Sequence, residues 1–140
     1  MKVSLVIPAY NEEKYIGVCL ESVAKNGEKL HEIIVVNNAS TDRTAEIAAR
    51  FGRVKVVTES EKGVTRARQR GVRESSGDII AFIDADTKMP EGWVNKIIKG
   101  FEIDEKLVCL SGPYIFYDVS PLAKVFVWLY WKVFARLAYL

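Results

Sequence analysis

The residues best placed for chemistry are Asp84-Ala85-Asp86, which follow the apolar run Asp78–Ile83 (DIIAFI). In a strand, residues two apart point the same way, so the spacing puts both carboxylates on one side. Two carboxylates so placed repel, and two hard oxygen donors suit Mg2+ or Mn2+. A metal there would bridge the two phosphates of a nucleotide diphosphate and neutralise charge as that group departs. The alternative is a solvated turn in which Asp84 caps the following segment.

Two more polar clusters end apolar runs: Pro8-Ala9-Tyr10-Asn11-Glu12 and Asn37–Asp42 (NNASTD). Ligands of open α/β sheets bind beyond the carboxyl ends of the strands, so three clusters at one edge point to a site more firmly than one does. The amide of Asn38 offers a donor and an acceptor, which matches a uracil edge. The same residue types also stop strands and cap helices. A basic run holds Lys62, Arg66, Arg68, Arg70 and Arg73. Arg66, Arg70 and Arg73 read as a solvated face. Arg68 lies beside the small-residue face of Val64, Ala67 and Gly71, where a guanidinium can reach phosphate or base. Nucleic acid is the competing use of such a run. A net charge of +2 and the lack of an interleaved aromatic platform argue against it.

The elements that must position these residues alternate strictly. Strands are predicted at Lys2–Ile7, stopped by Pro8, and at Glu32–Val36, Val54–Val57, Asp78–Ile83 and Leu107–Leu110. The fourth is apolar on both faces, as a central parallel strand should be. Between them, Asn11 is predicted to cap a helix with Ile16, Cys19, Leu20 and Val23 on one face, ended by Gly27. Ser40 or Thr41 is predicted to cap a second helix, with Ala45, Ile47, Ala48 and Phe51 inside and Gly52 past its end. Gly63 opens the basic helix. Pro90 suits the first turn of a helix carrying Val94, Ile97, Ile98 and Phe101. This order predicts an open, mostly parallel sheet with helices on both faces over residues 1–112.

Composition shifts after Ser111. Aromatics crowd residues 113–140, and from Pro121 onward the pattern is that of an apolar, aromatic-rich amphipathic helix with Lys124, Lys132 and Arg136 in one sector. Its charges interrupt the apolar run too often for easy spanning. Trp128, Tyr139 and the three cations suit an anionic headgroup layer instead. Homo-oligomerisation through this helix, or packing on another domain, is the alternative. Lys2 and the short run closed by Pro8 fall far short of a signal peptide. Cys19 and Cys109 lack metal spacing and are read as reduced core residues, and the lone His31 as a surface residue. The expected location is cytoplasmic, peripheral at the cytoplasmic membrane face.

With these residues placed, the chain resembles family 2 glycosyltransferases of the GT-A fold. The matching stretches are VSLVIPAYNEEKYIGVCLESV (3–23), EIIVVNNASTDRTAEIA (32–48), EKGVTRARQRGVRESSGDIIAFIDADT (61–87) and MPEGWVNKI (89–97). The resemblance implies transfer of a sugar from a UDP- or GDP-linked donor, with inversion, to an acceptor that includes lipid-linked or polysaccharide candidates. It implies a nucleotide-sugar site at Pro8, Ala9, Tyr10, Glu12, Asn38, Arg68, Asp84, Ala85 and Asp86. Within it Asn38 would face the base, Arg68 the base or phosphate, Asp84 the ribose, and Asp86 the Mn2+ or Mg2+. The chain departs from the family pattern at Asn37-Asn38, usually Asp-Asp, and at Arg68-Gln69, usually Arg-Asn. Family members continue with an acceptor-side half that supplies the general base. Neither Asp104-Glu105 nor Asp118 is a candidate for it, so the catalytic base is unassigned. The expectation is a chain that carries the donor side, with a binding module lacking efficient transfer as the alternative.

Overall fold

The computed structural model describes residues 1–112 and, beyond them, residues 120, 122, 123, 125, 126 and 129. The chain divides into two compact units, Met1–Glu105 and Lys106–Leu140. The first therefore ends a few residues before the composition shift.

In the first unit four strands form one all-parallel sheet: β1 (Val3–Ala9), β2 (Glu32–Asn38), β3 (Val54–Glu59) and β4 (Ile79–Phe82), in the order β3-β2-β1-β4. Three helices connect them, α1 (Ile16–Asn26), α2 (Thr44–Ala49) and α3 (Val64–Glu74), and a fourth, α4 (Trp93–Ile103), follows β4. The order has a functional consequence. The chain builds outward from β1 through β2 to β3, then crosses back to lay β4 on the other side of β1. Such a reversal opens a crevice at the carboxyl ends of β1 and β4.

Strand alternation sorts the core into two layers. Val3, Leu5, Ile7 and Ala9 pack with Ile16, Cys19, Leu20 and Val23 of α1, Ala48 of α2, and Val94 and Ile97 of α4. Val6, Ile34 and Val36 face the other way, onto Ala67 of α3. α3 comes close because Gly71 has no side chain; a Cβ there would run into Val6 Cγ1. The small face of this helix is thus Ala67 and Gly71, while Val64 is exposed. The fully buried Ser4 is satisfied by Glu32 Oε1 and the Gly77 N–H. His31, exposed as expected, touches Ser76 Oγ at 3.2 Å.

Several boundaries differ from expectation. β1 runs through Pro8 to Ala9, because its pairing with β4 ends at Val6↔Phe82 and only β2 continues alongside. Proline has no N–H to donate, and a strand tolerates it where one side needs no ladder bond. β4 lies at an edge among the described residues, with Phe82 37% exposed, so it is not a central strand. Residues 107–110 form no strand; Val108 is 94% exposed, and Cys109 is exposed while Cys19 is buried. A short apolar run makes a strand only when a neighbour completes its ladder, and none among the described residues does. Asn11, Ser40 and Thr41 cap no helix: α1 begins after Tyr15 and α2 after Arg43. Pro90 precedes α4, whose N-cap is Gly92 in the left-handed region (φ 70°).

In the second unit Leu122, Ala123, Val125, Phe126 and Leu129 are helical. Ser120 Oγ accepts the Ala123 N–H at 3.3 Å, as an N-cap does. Leu122, Val125, Phe126 and Leu129 are exposed. No helix among the described residues is long and apolar enough to cross a membrane. Lys124, Trp128, Lys132, Arg136 and Tyr139, on which the amphipathic reading rests, lie outside the described residues.

Candidate functional site

The crevice at the strand reversal is flanked by the segments leading out of β1 and β4. After β4 the inside–outside alternation continues past the end of the ladder. Ile83 and Ala85 are buried, Asp84 is half-buried and Asp86 is exposed. The Thr87 N–H closes a turn onto the Asp84 carbonyl at 3.0 Å. Asp84 and Asp86 therefore sit on a turn rather than in the strand, yet both remain on its outward side.

Arg68 reaches this turn from α3. Its guanidinium donates to Asp84 Oδ1 at 3.1 Å and lies 6.0 Å from the Phe82 ring centroid. Arg68 thus meets Asp84 just beyond β4.

Glu12, beyond β1, belongs to the same electrostatic neighbourhood. Burial, and then the negative charges of Asp86, Asp42 and Asp84, push its carboxyl above the ordinary 4.5. Beneath the turn, burial and the same two aspartates of 84–86 push the Cys19 thiol up to about 12, so it stays protonated. A carboxyl raised by burial and by neighbouring aspartates is one that a cation nearby relieves. Among the described residues no group of three or more His, Cys, Asp and Glu side chains could hold a metal ion by itself. The donor set thus fits a hard divalent cation that takes part of its shell from phosphate oxygens and water.

Tyr10 is 44% exposed beside this neighbourhood. Lys62, not singled out from the sequence, lies against it: Nζ donates to Tyr10 Oη at 2.7 Å and is 4.6 Å from the ring centroid. The only sequence signal was a charge in a basic run. Pro8, Ala9 and Ala85 are buried.

Asn38 is placed differently from expectation. It is 4% exposed. Its Nδ2 donates to the carbonyls of Glu59 (3.2 Å) and Glu61 (2.6 Å), and its Oδ1 accepts the Gly63 N–H at 2.8 Å. Both amide hydrogens are spent on the main chain that leads from β3 into α3. Its side chain fixes the segment that carries Lys62 and leads into α3, toward Arg68. The physical reason is burial, since an amide removed from water must find partners nearby.

The neighbouring cluster is a lacing between two loops. Asn11 Oδ1 accepts the Thr41 N–H at 2.8 Å, and Ser40 Oγ accepts the Asn11 N–H at 3.1 Å. Thr44 Oγ1 accepts the Glu12 N–H at 2.8 Å, and Asp42 accepts those of Glu13 and Thr44, each at 3.0 Å. Burial works against the Asp42 carboxylate, but bonds from the Thr44 hydroxyl and the N–H groups of Glu13 and Thr44 outweigh it and hold its pKa below 3.8. Asn11 and Ala39 carry φ of 54° and 55°. Asparagine tolerates that region, whereas Ala39 holds it at a cost.

Comparison with known proteins adds the family. The family model described as Glycosyl transferase family 2 matches residues 4–137. "Glycosyltransferase GlyA" of Streptococcus pneumoniae is 32% identical over 102 residues, covering 70% of this chain and 15% of that protein. The crystal structure of glucosyl-3-phosphoglycerate synthase from Mycobacterium tuberculosis in complex with Mn2+, UDP-glucose and phosphoglyceric acid superposes with a TM-score of 0.62 at 29% identity, over 75% of this chain and 40% of that one. S. aureus TarS 1-349 in complex with UDP-GlcNAc gives a TM-score of 0.66 at 22% identity, over 85% and 39%, which is likeness of fold. This chain spans well under half the length of each of these proteins.

Proposed function

Because the chain belongs to glycosyl transferase family 2, we propose that its first unit binds a nucleotide-diphosphate sugar together with Mn2+ or Mg2+ and presents it for transfer with inversion. The observation that carries the reading is that Glu12, Asp84 and Asp86 come together at the carboxyl edge where strand order reverses between β1 and β4, with the Glu12 carboxyl raised by burial and by the nearby aspartates. Asp86, with Asp84 beside it, would hold the cation, which supplies charge neutralisation for the departing diphosphate. Arg68 and Lys62 lie at the same edge and suit phosphate or base. Tyr10, held by Lys62, offers a ring face to a base or ribose. Uridine is the favoured nucleoside, because two of the structures similar to this chain are bound to UDP-sugars.

The test is calorimetry of UDP and GDP, with and without Mn2+, on the full chain and on Asp86→Ala. The parent should bind one of them more tightly with Mn2+, and the variant should lose that gain while melting like the parent. Equal binding with and without metal in the parent would overturn the reading.

A donor-binding module without efficient transfer is the second reading, favoured because the carboxylates that gather at this edge among the described residues, Glu12, Asp84 and Asp86, are those placed with the proposed cation. Release of UDP or GDP that depends on an added acceptor separates the two. For the second unit we propose a peripheral seat on an anionic membrane surface at its cytoplasmic face, near a lipid-linked acceptor. Exposed Leu122, Val125, Phe126 and Leu129 support this, together with the cations of the same stretch of sequence. Flotation with anionic vesicles, comparing the full chain with one ending at Ser120, tests it. If both stay soluble at low salt, self-association through this segment takes its place.

A further inference from the structure

The turn that carries Asp84 and Asp86 belongs to a stretch with no regular secondary structure, from Ile83 to Gly92. Within it a single backbone bond, Thr87 N–H to the Asp84 carbonyl, holds the turn to itself. Beyond the Arg68 bond to the Asp84 carboxylate, two buried pegs fix the main chain of the turn: Ala85, 4% exposed, and Met89, 2% exposed. Asp86, Thr87 and Lys88 are strung between them.

The far peg is gripped by α1 through its main chain. Ser22 Oγ accepts the Met89 N–H at 2.8 Å and passes its own proton to the Cys19 carbonyl at 2.6 Å. Asn26 Nδ2 donates to the Met89 carbonyl at 2.8 Å. One helical turn earlier, the protonated Cys19 thiol faces the Asp84 carbonyl at 3.9 Å, a weak third contact. α1 is seated in the core by buried Ile16, Cys19, Leu20 and Val23. The Gly27 N–H closes its last turn onto the Val23 carbonyl at 2.7 Å, and a Cβ at Gly27 would lie only 2.6 Å from that oxygen.

We propose that Ser22 and Asn26 are positioning residues for the metal-binding turn, holding Met89 so that Asp84 and Asp86 are preset for one divalent cation. Neither touches the cation or the donor. They act because two carboxylates grip a cation well only when fixed to within about half an ångström, and the turn has little stiffness of its own. Outer partners of metal ligands act in this way, and their loss weakens metal binding about 10- to 100-fold. The inference rests on the proposed role of Asp84 and Asp86.

The test measures UDP affinity by calorimetry, with and without Mn2+, on the full chain as parent, Ser22→Ala, Asn26→Asp and Ser22→Thr. Asn26→Asp keeps shape but loses the donor to Met89. Ser22→Ala removes one hydroxyl and guards against a folding failure at position 26. All are measured well below their own melting temperatures. The first two variants should lose about tenfold or more of the Mn2+-dependent gain. Metal-free affinity should be unchanged, and Ser22→Thr, which keeps the hydroxyl, should behave like the parent. Unchanged Mn2+ dependence in both variants overturns the positioning role. So does an equal loss of metal-free and metal-dependent binding, the mark of general loosening. A parent indifferent to Mn2+ overturns the metal-site reading itself, and the positioning role falls with it.

Discussion

The stretch Asn37–Asp42 beyond β2 and the stretch Asp84–Asp86 beyond β4 are both polar, both continue from apolar strands, and both lie at the carboxyl edge of the sheet. Their side chains do opposite things. Beyond β2, Asn37, Asn38, Ser40 and Asp42 turn inward and bond main-chain groups of their own or neighbouring loops. Beyond β4, Asp84 and Asp86 stay on the outward side, Asp84 paired with Arg68; burial first, and then the charges of these two, push up the Glu12 carboxyl and the Cys19 thiol. A polar cluster satisfied by backbone is scaffold. Two carboxylates side by side beyond a strand end, with a third carboxyl raised nearby, make a candidate binding site. β2 has a neighbour on each side, whereas β4 lies at the edge of the sheet among the described residues.

The comparison breaks most sharply at Asp86. Asp86→Ala should abolish the metal-dependent part of nucleotide binding and change unfolding stability by less than about 0.5 kcal/mol, as exposed positions do. Parallel calorimetry and thermal melts check both halves. Asn38→Ala should do the reverse. It strands the carbonyls of Glu59 and Glu61 and the Gly63 N–H, costing about 1–3 kcal/mol in urea unfolding while Mn2+ dependence survives. An Asn38→Ala protein of parental stability with altered base preference would return the residue to the direct base contact.

A smaller effect separates the two regions by pH. Asp42 is held below its ordinary 3.8, so its contribution to stability is present above that value and is lost as pH falls through the lowered one. Asp42→Asn should flatten this acid limb of the melting temperature against pH. Glu12 is raised above 4.5, so its contribution is present below that value and is lost as pH rises through the raised one. Glu12→Gln should therefore gain on the parent as pH climbs from about 4 toward neutrality, and Mn2+ should narrow the gap by shielding Asp84 and Asp86. If Glu12→Gln runs parallel to the parent at all pH values, Glu12 does not share their field. The smallest effect belongs to the Arg50–Glu46 pair on α2, exposed on both sides, where Arg50→Ala should cost no more than about 0.5 kcal/mol.

The alternation of apolar runs with helical periods was enough to determine the parallel sheet, the helices on both faces and the carboxylate pair at a strand end. Period and residue type are local properties, and burial of an apolar face results from them. The reach of Arg68 to the sheet edge was legible too, since helical spacing put it next to the small residues that face the sheet. Which strand would lie at the edge was not legible, because β4 and β1 are equally apolar and only pairing distinguishes them. The four residues 107–110 looked like a strand because they are apolar and short, but strand formation is a property of a pair. The role of Asn38 was decided by the main chain of Glu59, Glu61 and Gly63, distant in sequence, which arrives only when β3 docks. The grip of Ser22 and Asn26 on Met89 was equally hidden, because hydrogen bonds to backbone carry no residue signature. Sequence sets what each side chain can do; which partner it meets is set when packing brings separate segments within about 3 Å of each other.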